Sequence, residues 1–227
     1  MKTARIAELL EPYLARPEPV SRDPRAILSE GQLSNISTYI DMLLRWNSRT
    51  NLTAVREPEE IVRRHFGESL FTARHLFLKI DDHPPTQIID VGSGAGFPGL
   101  PIKLWFPQAR VTLIESNHKK VTFLREVIRA LTLIDIDVFA GRGEDYQGAL
   151  GDVVTLRAIE KFATILPMTI QLVAPRGRLA LLIGESQGQQ TRNLEPSLQW
   201  SEPLSLPGSL NRILLLGRMN QSEKESK

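Results

Sequence analysis

The stretch Ile88-Ile89-Asp90-Val91-Gly92-Ser93-Gly94-Ala95-Gly96-Phe97-Pro98-Gly99 decides the fold. An apolar, β-branched run that breaks into alternating glycines is typical of a buried strand, a tight turn and a helix start. Glycine allows positive φ values and leaves no Cβ between the backbone and a ligand, and the first N–H groups of a helix are unpaired. Because α/β sheets bind ligands at such turns, the stretch predicts an α/β fold with a site for a nucleoside-bearing cofactor.

Two classes of cofactor site fit this loop. Gly94-x-Gly96-x-x-Gly99 matches the dinucleotide fingerprint, and Glu115 ends the next apolar run about 20 residues further on, where a ribose-binding carboxylate is expected. Asp90 followed by Gly92-x-Gly94-x-Gly96 resembles the first motif of the S-adenosylmethionine methyltransferases, whose glycine loop lies beside the methionine part of the cofactor. The second pattern is the more specific, and we expect S-adenosyl-L-methionine as the cofactor. Glycines that serve only a strand-to-helix turn are the structural alternative.

The composition excludes several classes of protein. A chain of 227 residues, 41% hydrophobic and 24% charged, suits one globular domain with an extension. It contains no cysteine, which excludes disulfides and thiolate-bound metals. No run approaches the roughly 18 apolar residues of a membrane span, and Met1-Lys2-Thr3-Ala4-Arg5 leads into charged residues rather than the apolar region of a signal peptide. We therefore expect a cytoplasmic protein without membrane contact. The net charge of +2 permits a nucleic-acid partner but does not indicate one.

The N-terminal part of the chain predicts helices. Apolar residues at helical spacing within 1–15 predict a first helix, and the prolines that follow predict an extended connector. Ser29 is placed to cap a second helix, whose apolar stripe leads to Trp46-Asn47. Glu57-Pro58-Glu59-Glu60 begins a third helix, which we expect to reach about Lys79.

From Thr86 onward, short β-rich runs alternate with helices, which is typical of a doubly wound sheet. We expect strands near 87–91, 111–115, 136–139, 152–156 and 178–183, and helices near 99–106, 117–131 and 160–173. Pro175-Arg176-Gly177 predicts a turn into the fifth strand, and 212–216 predicts a closing, antiparallel strand. The segment 184–206 has no pattern that decides between helix and strand.

These elements divide the chain into three parts. We expect residues 1–85 to form a helical extension packed on the catalytic domain. Residues 86–218 are expected to form a Rossmann-like, mostly parallel sheet domain that binds S-adenosylmethionine, and residues 219–227 a disordered tail.

Motifs on both sides of the glycine loop carry a family resemblance. They are Asp90 to Pro101, Leu113-Ile114-Glu115-Ser116, Lys119-Lys120-Val121, Phe123-Leu124-Arg125, Leu44-Arg45-Trp46-Asn47, Asn51-Leu52-Thr53, His65-x-x-x-Ser69-Leu70, Gly141-Arg142-Gly143-Glu144 and Thr155-Leu156-Arg157-Ala158. With them the chain resembles, over roughly residues 30–185, the bacterial guanine-N7 methyltransferases of small-subunit ribosomal RNA, also called glucose-inhibited division protein B.

The resemblance implies a set of cofactor-binding residues in loops and at strand ends. They are Gly92, Gly94, Gly96 and Phe97 in the glycine loop, Glu115 after the second strand, Gly143 and Glu144 after the third, and Arg157 after the fourth. Glu115 is expected to bind the ribose hydroxyls. The structural alternatives are a core aromatic for Phe97, a solvated loop acid for Glu144 and a surface cation for Arg157.

The chain departs from the family pattern at three places. Asn117-His118 stands where the family usually has Leu-Gly, and Glu68 stands where it has Asp. Ile183-Gly184 replaces a frequent Lys-Gly pair, which leaves the equivalence of that edge open. Trp46 and His65 are expected to pack between helices rather than to take part in the chemistry.

Two sequence features that the chain lacks exclude or disfavour other target atoms for methylation. Methylation at pyrimidine C5 generally uses a cysteine nucleophile, which is absent. An exocyclic adenine amine is expected beside an Asn/Asp-Pro-Pro-aromatic loop, where this chain has Thr155-Leu156-Arg157-Ala158-Ile159-Glu160. Guanine N7 has a free lone pair and no proton, and its methylation needs no general base. The family resemblance implies transfer to N7 of a guanine in 16S ribosomal RNA, and these absences agree with that target. We expect no metal and assign no catalytic residue.

An RNA partner requires a cationic surface. Candidates are Lys119, Lys120, Arg125, Arg129, Arg45, Arg49, Arg63 and Arg64, and solvated helix faces are the alternative for each of them. We expect a monomer that acts on the small ribosomal subunit or on an assembly intermediate. The competing functions are a small-molecule S-adenosylmethionine methyltransferase, an NAD-binding oxidoreductase and an RNA-binding module without activity.

Overall fold

One mixed sheet organises the chain. The computed structural model describes residues 1–15, 28–77, 87–157, 162–195 and 198–219. The strands are β1 (Gln87–Val91), β2 (Arg110–Glu115), β3 (Ile136–Ala140), β4 (Gly151–Arg157), β5 (Val173–Gly184), β6 (Gln199–Trp200), β7 (Leu204–Ser205) and β8 (Arg212–Arg218). They lie in the order β3-β2-β1-β4-β5-β8-β6, and β7 also pairs with β8. Strands β1 to β5 are parallel and β8 is antiparallel to β5, so the predicted Rossmann-like fold is confirmed.

Helices cover both faces of the sheet. They are α1 (Thr3–Leu14), α2 (Glu30–Asn47), α3 (Pro58–Ile61), a π-helix (Val62–Gly67), α4 (Glu68–Phe77), α5 (Gly99–Trp105), α6 (His118–Ala130), α7 (Phe162–Gln171) and α8 (Glu185–Leu194). Alternate residues of a strand point to opposite faces. Ile88 accordingly joins the core under α1, α2 and α4 to α6, whereas Ile89 joins a second core under α7.

The N-terminal helices form as predicted, with one difference. Ser29 caps α2 through a reciprocal pair of hydrogen bonds with Gln32, at 3.2 and 2.8 Å. The third predicted helix is interrupted, because six residues from Val62 to Gly67 form a π-helix between α3 and α4. Side chains of α1, α2 and α4 share one hydrophobic core with β1 and α5. The predicted connector prolines and the helix end at Lys79 lie outside the described residues.

Strand β5 is longer than predicted. Pro175-Arg176-Gly177 lies inside this strand and not before it, since β5 begins at Val173. The pairing of β4 with β5 shifts between Gly151 and Val153, and Arg176 has a φ of 63°. A bulge therefore absorbs the residues that the sequence predicted as a turn.

The C-terminal part contains small elements that the sequence did not predict. The segment 184–206 forms α8 and the two-residue strands β6 and β7. Met219, placed in the predicted tail, is buried and donates its N–H to the Gly177 carbonyl at 2.9 Å. Residues 220–227 lie outside the described part. Within the described ranges, no helix combines the length and the apolar character needed to cross a bilayer.

Candidate functional site

The carboxyl ends of the parallel strands meet where β1 lies between β2 and β4. Here the chain passes from β1 to β2 on one side and reaches β4 on the other, which makes this place the topological switch point. The loops that follow β1, β2, β3 and β4 all begin at this edge. All of the predicted cofactor-binding residues lie in these loops or at these strand ends.

The glycine loop has two kinds of glycine. Gly92, Gly94 and Gly96 have φ values of 64°, 59° and 91°, which L side chains rarely adopt. A Cβ on Gly94 would have only the Gly92 carbonyl oxygen within 4 Å, at 3.8 Å. A Cβ on Gly96 would lie 2.4 Å from Leu100 Cδ1 and 2.5 Å from Tyr39 Oη. Gly94 thus borders open space, whereas Gly96 permits close packing of helices beneath the loop.

Asp90 fixes the loop from below. Its carboxylate is fully buried and accepts a hydrogen bond from Thr155 Oγ1 at 2.7 Å and another from the Gly99 N–H at 3.1 Å. Burial raises the pKa of Asp90 to about 6. The side chain therefore joins β1 to β4 and caps α5, a role that the sequence pattern did not assign.

The first N–H groups of α5 are not free, and the prediction that they point at a ligand is wrong. The Gly99 N–H is bound by Asp90, and the Leu100 N–H donates to the Gly96 carbonyl at 2.9 Å. A dinucleotide pyrophosphate binds to unpaired N–H groups at this position. Because a carboxylate already occupies it, the loop disfavours a phosphate and suits a cofactor without one.

Glu115 lies beside the glycine loop, as its position at the end of β2 predicted. Its Oε2 accepts a hydrogen bond from the Gly94 N–H at 2.8 Å, and its Oε1 accepts one from the Asn117 N–H at 2.8 Å. The side chain is nearly buried. Each carboxylate oxygen can accept a further hydrogen bond. The residue thus holds the loop and keeps acceptor capacity for a ligand.

The side chain of Phe97 belongs to an aromatic cluster. Its ring stacks on Tyr39 with centroids 5.3 Å apart and on His65 with centroids 4.8 Å apart, and it meets Phe66 edge-on. The ring is buried. The structure therefore gives Phe97 the core position that was its structural alternative, and leaves only its backbone near the loop surface.

The loop after β3 forms a short 3-10 turn over Gly143–Asp145. A Cβ on Gly143 would lie 2.4 Å from Met168 Cε, so this glycine allows the turn to pack against α7. Glu144 is exposed at the same edge. Of this predicted pair, only Glu144 has a side chain that a ligand could reach.

Arg157 lies in a buried polar network and not on the surface. Its Nη2 donates to the Arg64 carbonyl at 2.7 Å and to Glu68 Oε2 at 3.2 Å. Arg212 pairs with the other carboxylate oxygen of Glu68. Within the described part of the chain, Arg157 Nη1 is buried without a hydrogen-bond partner. That atom is an unpaired donor at the carboxyl end of β4.

His65 connects the network to the aromatic cluster. Its Nδ1 lies 3.1 Å from Arg157 Nη2, and its Nε2 lies 2.8 Å from Thr53 Oγ1. Since arginine only donates, Nδ1 accepts and Nε2 carries the proton. Burial and the nearby Arg157 charge lower the pKa of His65 to about 3, so the ring is neutral. The sequence identified His65 as a packing residue but gave no signal for Glu68 or Arg212 as its neighbours.

The predicted basic residues occupy different places. Lys119 and Lys120 lie in the first turn of α6, at the same edge as Glu115, where the Asn117 side chain caps the helix. Arg125 and Arg129 lie further along α6, away from this edge. Arg63 and Arg64 pair with Glu59 and Glu60, and Arg45 and Arg49 line a separate cavity of about 460 Å³ beside Trp46.

A doubly wound sheet with a glycine loop at its switch point, a carboxylate after β2 and paired N–H groups at the start of α5 fits the class of S-adenosylmethionine-dependent methyltransferases. Solved structures agree on this fold. The structure of P. horikoshii TYW2 in complex with MeSAdo is 15% identical in sequence and has a TM-score of 0.56. The match covers 70% of this chain and 63% of the TYW2 chain. A SAM-dependent methyltransferase from Aquifex aeolicus is 13% identical and has a TM-score of 0.51. The match covers 59% of this chain and 82% of the Aquifex chain.

The chain belongs to the GidB family, rRNA small subunit methyltransferase G, whose model matches residues 32–212. A Ribosomal RNA small subunit methyltransferase G of Chloroflexus aggregans is 35% identical over 201 residues, which is 83% of this chain and 82% of the relative. A Ribosomal RNA small subunit methyltransferase G of Streptococcus pyogenes serotype M5 is 34% identical over 177 residues, which is 75% of this chain and 73% of the relative. The predicted family, enzyme class and cofactor class are confirmed.

Proposed function

We propose that this chain transfers a methyl group from S-adenosylmethionine to N7 of a guanine in 16S ribosomal RNA. The observation that supports this most strongly is the pairing of the N–H groups at the start of α5, because a dinucleotide needs them free to bind its phosphates. The Asp90 carboxylate binds the Gly99 N–H and the Gly96 carbonyl binds the Leu100 N–H. Open space beside Gly94 and the acceptor capacity of Glu115 remain for a cofactor without phosphate. This arrangement disfavours the NAD-dependent alternative.

Four groups are suited to hold the cofactor. We assign the backbone at Gly92 and Gly94 to the methionine part, and the carboxylate of Glu115 to the ribose hydroxyls. Glu144 is exposed at the same edge and can accept further hydrogen bonds. Gly96, Gly143 and the ring of Phe97 support the site from beneath, because packing occupies the space around them.

The residues of this site position the reactants and move no proton. S-adenosylmethionine supplies a methyl carbon that its sulfonium already activates. Guanine N7 presents a lone pair, so the enzyme has only to align that lone pair with the methyl group. Two titratable groups beneath the loop are engaged: His65 is neutral with both ring nitrogens bonded, and the Asp90 carboxylate has two donors. This agrees with a reaction that needs no general base.

The RNA contacts this edge through Lys119 and Lys120. Both follow Glu115 closely on α6, and Lys119 is exposed. Because the net charge is only +2, the chain gains most of its specificity from a folded particle, which we take to be the small ribosomal subunit or an assembly intermediate. The enzyme acts as a monomer in the cytoplasm, where its substrate is made.

Nucleoside mass spectrometry tests the proposed reaction. The purified protein is incubated with methyl-labelled S-adenosylmethionine and small subunits from a strain that lacks this activity. We expect label in N7-methylguanosine from 16S RNA. Label in a ribose, in adenine or only in a small metabolite would show that the proposed target is wrong.

Replacing Glu115 by Ala is expected to weaken S-adenosylhomocysteine binding by about 1–3 kcal/mol. The change removes a ribose acceptor and also releases the Gly94 N–H. Isothermal titration calorimetry measures the loss, and circular dichroism checks the fold. Asp137→Ala is the matched control, since Asp137 is an exposed acid on β3 and should bind normally. An unchanged dissociation constant in Glu115→Ala would leave the residue with a purely structural role.

Charge reversal at Lys119 and Lys120 together is expected to raise KM for small subunits by on the order of tenfold. The KM for S-adenosylmethionine should not change, because neither side chain belongs to the cofactor site. Reversal of Arg125 and Arg129 is the control, since it makes the same charge change on the same helix further from the edge. Equal effects of the two double variants would indicate a general charge effect and no local RNA contact.

A further inference from the structure

A hairpin tip joins β7 to β8 at the carboxyl edge of the sheet. The turn is closed by the Ser209 N–H, which donates to the Leu206 carbonyl at 3.0 Å. Pro207 and Gly208 occupy its centre, and Gly208 has a φ of 70°. These residue types and this hydrogen bond are those of a type II turn.

Arg212 fastens the tip to the buried network. The Oγ of Ser209 accepts hydrogen bonds from the Arg212 N–H at 3.2 Å and from its Nε at 3.1 Å. The Nη1 of Arg212 pairs with Glu68, which also binds Arg157. Arg212 therefore connects the tip to the buried network through Ser209 on one side and Glu68 on the other.

Leu210 projects from this tip into solvent. It is 97% exposed, more than Leu150, Leu194 or Ile134. A single exposed apolar side chain needs no explanation by itself. Here, however, the side chain stands beside a cavity that opens at the same edge.

The cavity has a volume of about 790 Å³ and opens widely to solvent, and polar and apolar atoms contribute about equally to its wall. Its wall is formed by Gly184, Glu185, Ser186, Ser209, Asn211 and Arg212. Gly184 ends β5, and β5 lies two strands from β1 in the sheet. Because β5 runs parallel to β4 and β1, and Gly184 pairs with Arg212, the cavity opens at the same edge of the sheet as the glycine loop.

We propose that this cavity receives the target guanine after it leaves the RNA stack, and that Leu210 packs into the gap that the base vacates. The inference rests on the proposed function. Enzymes that modify a stacked base extrude it into a pocket, and apolar side chains enter the opened stack. The carboxylate of Glu185 suits a guanine, because the N1–H and the 2-amino group are paired donors that a carboxylate accepts.

Steady-state methylation of small subunits tests this assignment. Leu210→Ala and Glu185→Gln should each lower kcat/KM for subunits by on the order of tenfold or more. Their dissociation constants for S-adenosylhomocysteine and their Tm values should match those of the wild type, since Leu210 is fully solvated and Glu185 is exposed. Ile134→Ala is the control: Ile134 is 72% exposed just before β3, at the opposite edge of the sheet.

The outcomes separate this proposal from the proposed function. A selective loss in Leu210→Ala and Glu185→Gln, with Ile134→Ala within twofold of the wild type, supports the nucleotide cavity. A kcat/KM within twofold of the wild type in both variants overturns it, even though the wild type still makes N7-methylguanosine. Failure of the wild type to make that product would instead refute the proposed function.

Discussion

Gly94→Val is expected to abolish binding of S-adenosylhomocysteine while the protein stays folded. A Cβ at this position meets only the Gly92 carbonyl oxygen, at 3.8 Å, so the added side chain enters the space assigned to the cofactor. The φ of 59° adds strain of about 1–3 kcal/mol, which the loop alone carries. Calorimetry should detect no binding at concentrations that saturate the wild type, and circular dichroism should show a normal helix content.

Gly96→Ala is the matched variant, and we expect it to reduce stability rather than to block the cofactor space. Here the Cβ would lie 2.4 Å from Leu100 Cδ1 and 2.5 Å from Tyr39 Oη. Overpacking of a buried contact typically costs about 1–3 kcal/mol. At Gly96 this adds to the strain of a φ of 91°, whereas Gly94→Val has the strain alone, so Gly96→Ala should lower Tm more than Gly94→Val does. Normal cofactor affinity in Gly94→Val, or an unchanged Tm in Gly96→Ala, would contradict the division of the loop into a ligand side and a packing side.

The central sheet was predictable because its signals are local. A buried parallel strand appears in the sequence as a short, continuous apolar run, and β1 and β2 are such runs with a loop signal after each. Alternation with amphipathic helices then dictates a doubly wound order. The same local rules placed Ser29 at the start of α2 and the glycine loop at the sheet edge.

The C-terminal part was not predictable in this way. Strands β6 and β7 have two residues each, too few to show a period, and the pairing partner β8 decides where they form. Pro175-Arg176-Gly177 has the composition of a turn, yet pairing on both sides of it keeps the segment within β5 as a bulge. Long-range hydrogen bonds overrode the local preference in both cases.

In the candidate site too, local sequence signals were readable and long-range contacts were not. Glu115 was placed correctly because a strand end and a glycine spacing both point to it. Arg157 was placed at the correct edge, but its partner Glu68 lies 89 residues earlier, on a helix whose π-helical start no propensity predicts. The motif identified Asp90 but did not predict that its carboxylate caps α5. That contact depends on the path of the loop between Asp90 and Gly99.

The Glu68 network is the part of the molecule where one substitution should have the largest effect on stability. Glu68 is 2% exposed, and its two carboxylate oxygens face Arg157 and Arg212. Burial raises the pKa of Glu68, while the two arginines oppose that shift. The carboxylate therefore neutralises a largely buried cation, and burial also lowers the pKa of Arg157.

Glu68→Gln is expected to lower the free energy of unfolding by about 3–5 kcal/mol, because it leaves the Arg157 charge buried without a counter-ion. Urea denaturation measures the change. Glu68→Asp, which restores the residue usual in the family, keeps the charge and should lose less. Glu60→Gln is the surface control: Glu60 pairs with Arg64 at 3.7 Å with both side chains partly exposed, so its loss should stay below about 1 kcal/mol. Equal stability of Glu68→Gln and Glu60→Gln would mean that water reaches Arg157, and the network would then be no support for the carboxyl end of β4.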